Sequence, residues 1–370
     1  MRILNADTLT SHGNIQGRKA VVEILEAGLQ AADPYLNTLK LLRVEGDSLI
    51  VGNEDFEPAG SPVTGNQVYD LTKIRNIYVF GAGKGVQWVA RAVEEVLGNR
   101  LTGGHVIAKH DDDMILERVG VTYGAHPVPD EGCVRGCEKI LEMTRGLTKD
   151  DLVFTIAANG ISSLLTMPVP GVSLEDVRQT TYLMQIERGA PTGDLNPIRN
   201  HLDMMKGGRI SRYIYPAQMV HILAIEPGNY DQLMHRNVWL HTLPESSTFE
   251  DAVRMLKKWD AWDVVPASVR DYLQRADPKQ ETVNADEFAR MPGRIFGVMP
   301  THLGMIPTAM KKAAELGFKP VLLTNDLRAE ASQAGLVVAT IAVSVEQNGA
   351  PFEPPCALFP HGALLIPVCK

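Results

Sequence analysis

At 370 residues the chain exceeds what a single hydrophobic core usually organises, so two domains are expected. Its 45% hydrophobic and 22% charged residues describe an ordinary globular protein, and no apolar run is long enough to span a bilayer, so no membrane partner is expected. The net charge of −8, with no basic stripe among aromatics, argues against nucleic acid, while four scattered cysteines (Cys133, Cys137, Cys356, Cys369) and the lack of a signal-peptide core lead us to expect reduced thiols and a cytoplasmic location.

In chain order, the apolar face of Val21, Val22, Ile24, Leu25 and Leu29 predicts a helix within residues 17–44. Strands are predicted at 76–81, 104–108, 119–123, 151–157 and 219–225, with helices at 84–97, 131–146 and 173–188. That alternation implies an α/β fold whose larger domain is a doubly wound, mostly parallel sheet. Residues 246–276 read as helical, opened by a Ser247 or Thr248 cap. The polar stretch 277–293 carries prolines and little periodicity, so it is the predicted linker. A smaller α/β domain is expected over 294–370: strand 294–299, helix 304–316, strand 319–324, helix 326–335 and strand 337–345. Domain one is then 1–276.

Ligands in open α/β sheets bind beyond the carboxyl ends of the strands, so the loops after them come first. Residues 78–98, "YVFGAGKGVQWVARAVEEVLG", run from a strand through a glycine turn into a helix. A Walker-type loop fails here, because Tyr78 stands six residues before Lys84 and Gly85 follows it. A dinucleotide fingerprint fails as well: Gly81 and Gly83 fit, but the third glycine is Val86, and an NAD-dependent reductase is the weaker reading. What remains is a turn in which Gly81 and Gly83 allow close backbone approach and Lys84 adds a full charge for an anion. The next loop, "GAHPVPDE" at 124–131, reads as a rigid turn with Asp130 as a helix cap. "ANGISSLL" (158–165) offers Gly160 and the hydroxyls of Ser162 and Ser163, either to an anion or to simple capping. In "GDLNPIRNHLDMMKGGRISR" (193–212), Asn196, Arg199, His201, Lys206 and Arg209 crowd together around Gly207-Gly208, which suits a carboxylate or phosphate. Arg199 in particular suits a bidentate fork on a carboxylate.

Several segments in order resemble the glycerate 2-kinase family, the MOFRL-type glycerate kinases: "VFGAGKGVQWVARAVEEVLG", "GAHPVPDEG", "PVPGVSLEDVRQTTYLM", "NPIRNHLDMMKGGRIS" and "KKAAELGFKPVLLTNDLRAEA". The resemblance implies two α/β domains with the site in a cleft between them, and phosphorylation of glycerate or a related sugar acid from ATP with a divalent cation. It also implies Lys84 and His201 as catalytic residues and Asn196, Arg199, Lys206 and Ser162 around the hydroxy acid. Gly81, Gly83, Gly160, Gly207 and Gly208 would lie by the phosphates.

The chain departs from the pattern where nucleotide and metal are held. "S-G-G-G-S" is Ala158-Asn159-Gly160-Ile161-Ser162, and a β-branched Ile161 is expected to block a phosphate. "S-D-V-P-G-D" is Ala224 to Asn229, which leaves Glu226 as the single replacement ligand for magnesium. The chain ends at Lys370, ahead of the family's "G-G-R-N-Q-E". Three functions follow as expectations: an ATP- and magnesium-dependent kinase; a repurposed homologue that binds a small hydroxy acid and performs proton transfer or elimination with no cofactor; or a non-catalytic sensor or partner subunit. Homo-oligomerisation is left open.

Overall fold

The computed structural model describes residues 2–112, 114–300, 302–327 and 329–362. Residues 363–370, at the end of the expected second domain, lie outside the described residues. The chain forms two compact units, Pro34–Val298 and Met1–Asp33 with Met299–Lys370.

The helix expected within 17–44 breaks at a proline. One helix runs Ile15–Ala31, with the Asn14 side chain accepting from the Gly17 N–H, and a second begins afresh at Pro34 and ends at Leu41. In the larger unit, β1 (Leu42–Glu45), β2 (Ser48–Val51) and β3 (Gln67–Asp70) form a small antiparallel sheet that sequence reasoning did not find. The main sheet contains β4 (Asn76–Ala82), β5 (Gly103–Lys109), β6 (Val119–Gly124), β7 (Asp151–Ala157), β8 (Gln218–Leu223) and β9 (Gly293–Gly297). All its pairings are parallel, in the order β6-β5-β4-β7-β8-β9. From β4 the chain winds outward through β5 and β6, then returns and winds the other way from β7. The point where the direction reverses therefore lies between β4 and β7, the place where such sheets open a crevice.

The sheet is buried on both faces, and alternation along each strand sorts its side chains. Val79, Phe154 and Ile156 pack with Val86, Val89, Ala90 and Val93 of the Val86–Leu97 helix on one face. Phe80, Ile107 and Val153 pack with Cys133, Cys137 and Ile140 of the Glu131–Thr144 helix on the other. Every residue of β7 is buried, which is why it reads as a continuous apolar run.

Three expectations are corrected. The strand at 294–299 does not open a second domain: it is β9, paired with β8, because Ile295 and Phe296 complete the main sheet. Nor is 277–293 a free linker. Val283 N–H donates to Gly207 O at 2.8 Å, Glu245 N–H donates to Val283 O at 2.9 Å, and Arg212 forks onto Glu287 at 2.7 and 2.8 Å. The division between the units instead follows Val298, and residues before Asp33 belong with the carboxyl-terminal part. The expected strand at 337–345 is part of a helix, Ala331–Asn348, capped by the Glu330 carboxylate at one end and by Gly349 at φ +64° at the other. A short β-branched run has no period that separates strand from helix, and the caps decide it. Similarly, 246–276 is two helices, Phe249–Lys258 and Ala267–Arg275, with Pro266 before the second.

In the smaller unit the Met305–Glu315 helix packs on Ile15–Ala31. A Cβ at Gly28 would lie 2.9 Å from the Met305 carbonyl oxygen, so the two helices touch backbone to backbone. Strands β10 (Lys319–Thr324) and β11 (Cys356–Pro360) pair in parallel. Among the described residues no helix is long and apolar enough to cross a membrane.

Two histidines are buried in the main sheet. His105 lies 2.7 Å from the Thr122 hydroxyl and His221 lies 2.7 Å from that of Thr155. Burial pushes His221 down to about 3; for His105, burial and then the Lys139 charge push it down to about 4. An unfolded histidine takes a proton below the ordinary value of 6.5 while these two do not, so their stabilisation is present above that value and lost as pH falls towards the folded values. Each pH unit in this window is expected to cost on the order of 1 kcal/mol per histidine. His221→Gln should flatten the fall of Tm with acidification; a Tm-against-pH slope equal to that of the unsubstituted protein would sink this account.

Candidate functional site

Lys84 stands at the carboxyl end of β4, in the turn at the reversal point. Its backbone N–H donates to Asn159 O at 2.7 Å, and Ala158 N–H donates back to Ala82 O at 3.1 Å, so the turns after β4 and β7 are stitched together. Gly81 and Gly83 make this possible. A Cβ at Gly81 would sit 2.6 Å from Ile156 O, and one at Gly83 would sit 2.7 Å from Ala158 O. Both glycines are thus explained by strand packing, not by an anion. Gly160 differs. At φ +86° it is packed by two side chains and not by backbone: a Cβ would lie 3.0 Å from His126 Cδ2, 3.2 Å from Nε2 and 3.4 Å from Lys84 Cε. Ile161 removes one objection to a phosphate there: its backbone is not at positive φ and its side chain is turned into the core.

The turn after β6 brings His126 into this corner. Asp130 holds it, accepting from Ala125 N–H at 3.1 Å and from Gly132 and Cys133 N–H at the start of the following helix, with His110 on its other oxygen at 2.9 Å. Ser163 adds a second tie by donating to Ala125 O at 3.0 Å. Burial, then the charges of Lys84, Arg199 and Lys109, hold the His126 imidazole below its usual range, so it is neutral at neutral pH. The charges of three cations from three segments therefore act on His126, with the Lys84 chain beside it at Gly160. None of the three pairs with a carboxylate among the described residues. The Arg199 guanidinium is buried, donates to Gln185 Oε1 at 2.7 Å, and is pushed by burial down to about 10. Sequence reasoning saw His126 presented near a helix start but favoured a rigid turn there, and it gave Lys109 no role. Their position at strand carboxyl ends beside the reversal point was the available signal.

Ser162 lies at the start of the short turn of helix after β7. Its hydroxyl accepts from Asn196 Nδ2 at 3.2 Å and is 2.8 Å from His241 Nε2. His241 is fully buried and held well below its usual value by burial, with Lys206 and Arg199 adding to the effect. Asn196 Oδ1 and His241 Nδ1 are buried without a partner. The sequence gave no hint of His241, which arrives from the loop before the Phe249–Lys258 helix.

Other expected residues are committed elsewhere. The Lys206 ammonium is buried and bonds the Asp203 carboxylate at 2.5 Å and Thr166 at 2.8 Å, and Asp203 also accepts from the Met205, Lys206 and Met167 N–H groups. It contributes field, not a free donor head. Both ring nitrogens of His201 are engaged, with Pro197 O at 2.7 Å and Glu281 Oε1 at 2.6 Å, and the buried ring packs on Phe249. Burial opposes ionisation of Glu281, yet the His201 hydrogen bond and charge hold it below the usual carboxylate range. Gly207 and Gly208, at φ +60° and +77°, face Thr282 and Val283, where a Cβ would come within 2.5 and 2.8 Å. They serve packing of the 282–283 segment. Glu226 is exposed beyond β8, and among the described residues it has no hydrogen bond or ion pair and no group of three His, Cys, Asp or Glu is arranged for a metal. A single open carboxylate fits magnesium carried in on nucleotide phosphates and does not fit a protein-only metal cage.

Comparison with known proteins places the chain in a family. A profile described as domain of unknown function (DUF4147) matches residues 20–274. The glycerate 2-kinase of Pyrococcus horikoshii is 29% identical over 353 residues, covering 95% of this chain and 74% of that one. The D-glycerate 2-kinase of Thermotoga maritima is 28% identical over 295 residues, covering 79% and 67%. A crystal structure of the Thermotoga maritima glycerate kinase superposes with a TM-score of 0.68 at 25% identity, covering 95% of this chain and 75% of that one. The match in sequence and fold runs through the reversal point and the turns around it, and the chain belongs to the glycerate kinase family defined by the DUF4147 domain.

Proposed function

We propose that the protein transfers the γ-phosphoryl group of ATP to a hydroxyl of glycerate or a closely similar small hydroxy acid. Arg199 carries this reading: a desolvated guanidinium with an amide neighbour and, among the described residues, no carboxylate leaves its charge for an anion from solution. Its planar fork matches a carboxylate in shape as well as charge. Lys84 and Lys109, both without a carboxylate partner among the described residues, add positive potential where phosphoryl oxygens would lie. Lys84 offsets the charge that develops as the phosphoryl group moves. Ser162, oriented by Asn196 and His241, serves the polar groups of the acid. The names of the Pyrococcus horikoshii and Thermotoga maritima relatives support glycerate as the substrate class. Magnesium, bound with the nucleotide, neutralises phosphate charge, and Glu226 is the residue that would hold it.

Titration with ATP and magnesium is expected to raise Tm, and D-glycerate with ATP to yield ADP. The absence of nucleotide binding at millimolar concentration overturns the kinase reading and favours hydroxy-acid chemistry without ATP. Lys84→Met should lower kcat by about 100-fold or more. Arg199→Gln should instead raise KM for the acid by about 10- to 100-fold, with the smaller effect on kcat. Lys206→Met should act on stability, costing about 3–5 kcal/mol, because it strands the buried Asp203 carboxylate. A Lys206→Met protein that melts normally but has lost activity contradicts this division of roles.

A further inference from the structure

We propose that His126 is a catalytic residue of this site, its Nε2 taking the proton of the substrate hydroxyl as that oxygen attacks the phosphoryl group. The inference rests on the kinase reading. Three observations carry it. The Nε2 edge of the ring lies at Gly160 beside the Lys84 chain, since one and the same Cβ position there would be 3.2 Å from Nε2 and 3.4 Å from Lys84 Cε. Among the described residues neither ring nitrogen has a hydrogen-bond partner, whereas both nitrogens of His201 are occupied. The ring itself is anchored from behind, by Asp130 on Ala125 N–H and Ser163 on Ala125 O. In the step, the substrate O–H bond breaks and its proton moves to Nε2. The O–P bond forms from the hydroxyl oxygen, and the bond from the γ-phosphorus to the ADP bridging oxygen breaks, releasing ADP.

The charges around the ring explain why it suits this work. With no anion bound, burial and then the charges of Lys84 from the β4 turn, Arg199 from the Thr192–His201 helix and Lys109 from the end of β5 favour the neutral ring, ready to accept a proton. A carboxylate on Arg199 and phosphates on the lysines offset those charges, so the imidazolium is tolerated once substrates are bound. Substrate binding thus raises the basicity of the group when it is needed.

The test uses the whole chain and two readouts. In steady-state kinetics, His126→Gln should lower kcat by about 100-fold or more with KM for both substrates changed by less than about threefold, and added imidazole should restore part of the activity of His126→Ala. In the unsubstituted protein, the His126 ring proton resonance, assigned by its absence in His126→Gln, should titrate below the ordinary histidine range and move upward on saturation with D-glycerate. A His126→Gln enzyme with near-normal kcat, a variant that changes only KM, or a titration unmoved by D-glycerate each overturns the inference. Where the variants fail to fold, the His126 resonance is assigned through the backbone by triple-resonance experiments on the unsubstituted protein, and its titration decides. Failure of the kinase reading is separately visible, because the unsubstituted protein then makes no ADP.

Discussion

The close apposition of β4 and β7 is the constraint on which the rest depends. Backbone approaches backbone there because Gly81 and Gly83 leave no Cβ between the strands, and the Lys84 N–H reaches the Asn159 carbonyl at 2.7 Å. The winding direction of the sheet reverses at the same place, so the crevice that this topology creates is floored by the two turns just joined. A side chain on either glycine would part the strands and separate Lys84 from Gly160. The lysine's chemistry is therefore set by glycines that need touch no ligand.

Charge is the second element. The chain as a whole carries a net −8, yet this corner gathers Lys84, Lys109 and Arg199 without a described carboxylate to neutralise them. Carboxylates are present nearby but are committed: Asp130 to three N–H groups and His110, Asp203 to Lys206 and three N–H groups. The protein spends its local acids on holding loops in place and leaves the cations for an incoming anion. Potential of this kind raises the local concentration of small acids and helps orient them.

Much of this was legible in the sequence, and the failures have physical causes. The alternation of buried strands with amphipathic helices gave the α/β class and all six main strands, five of them placed in one sheet, because the period of apolar residues is imposed by burial itself. Domain limits were misjudged because polar, proline-bearing residues 277–293 look like a linker although Val283, Glu281 and Glu287 are tied to the body of the larger unit. Arg199 was singled out because it crowds with other polar residues around Gly207-Gly208. Lys206 and His201 were given the same reading for the same reason, and only three-dimensional pairing with Asp203 and Glu281 separates them from it. His126 lay in a stretch that a rigid turn explained well enough, since nothing local says that three distant cations converge on it.

The turns after β4, β6 and β7 are joined by main-chain and Ser163 bonds into one frame, with Lys84 to Asn159 on one side and Ser163 to Ala125 on the other. Loops bound this way cannot be lengthened or re-angled one at a time without breaking a neighbour's bond. Diversification of this site over evolutionary time is accordingly channelled into the side chains that project from the frame. New acids would be accommodated by exchanging residues at fixed backbone positions, while insertions accumulate elsewhere on the molecule.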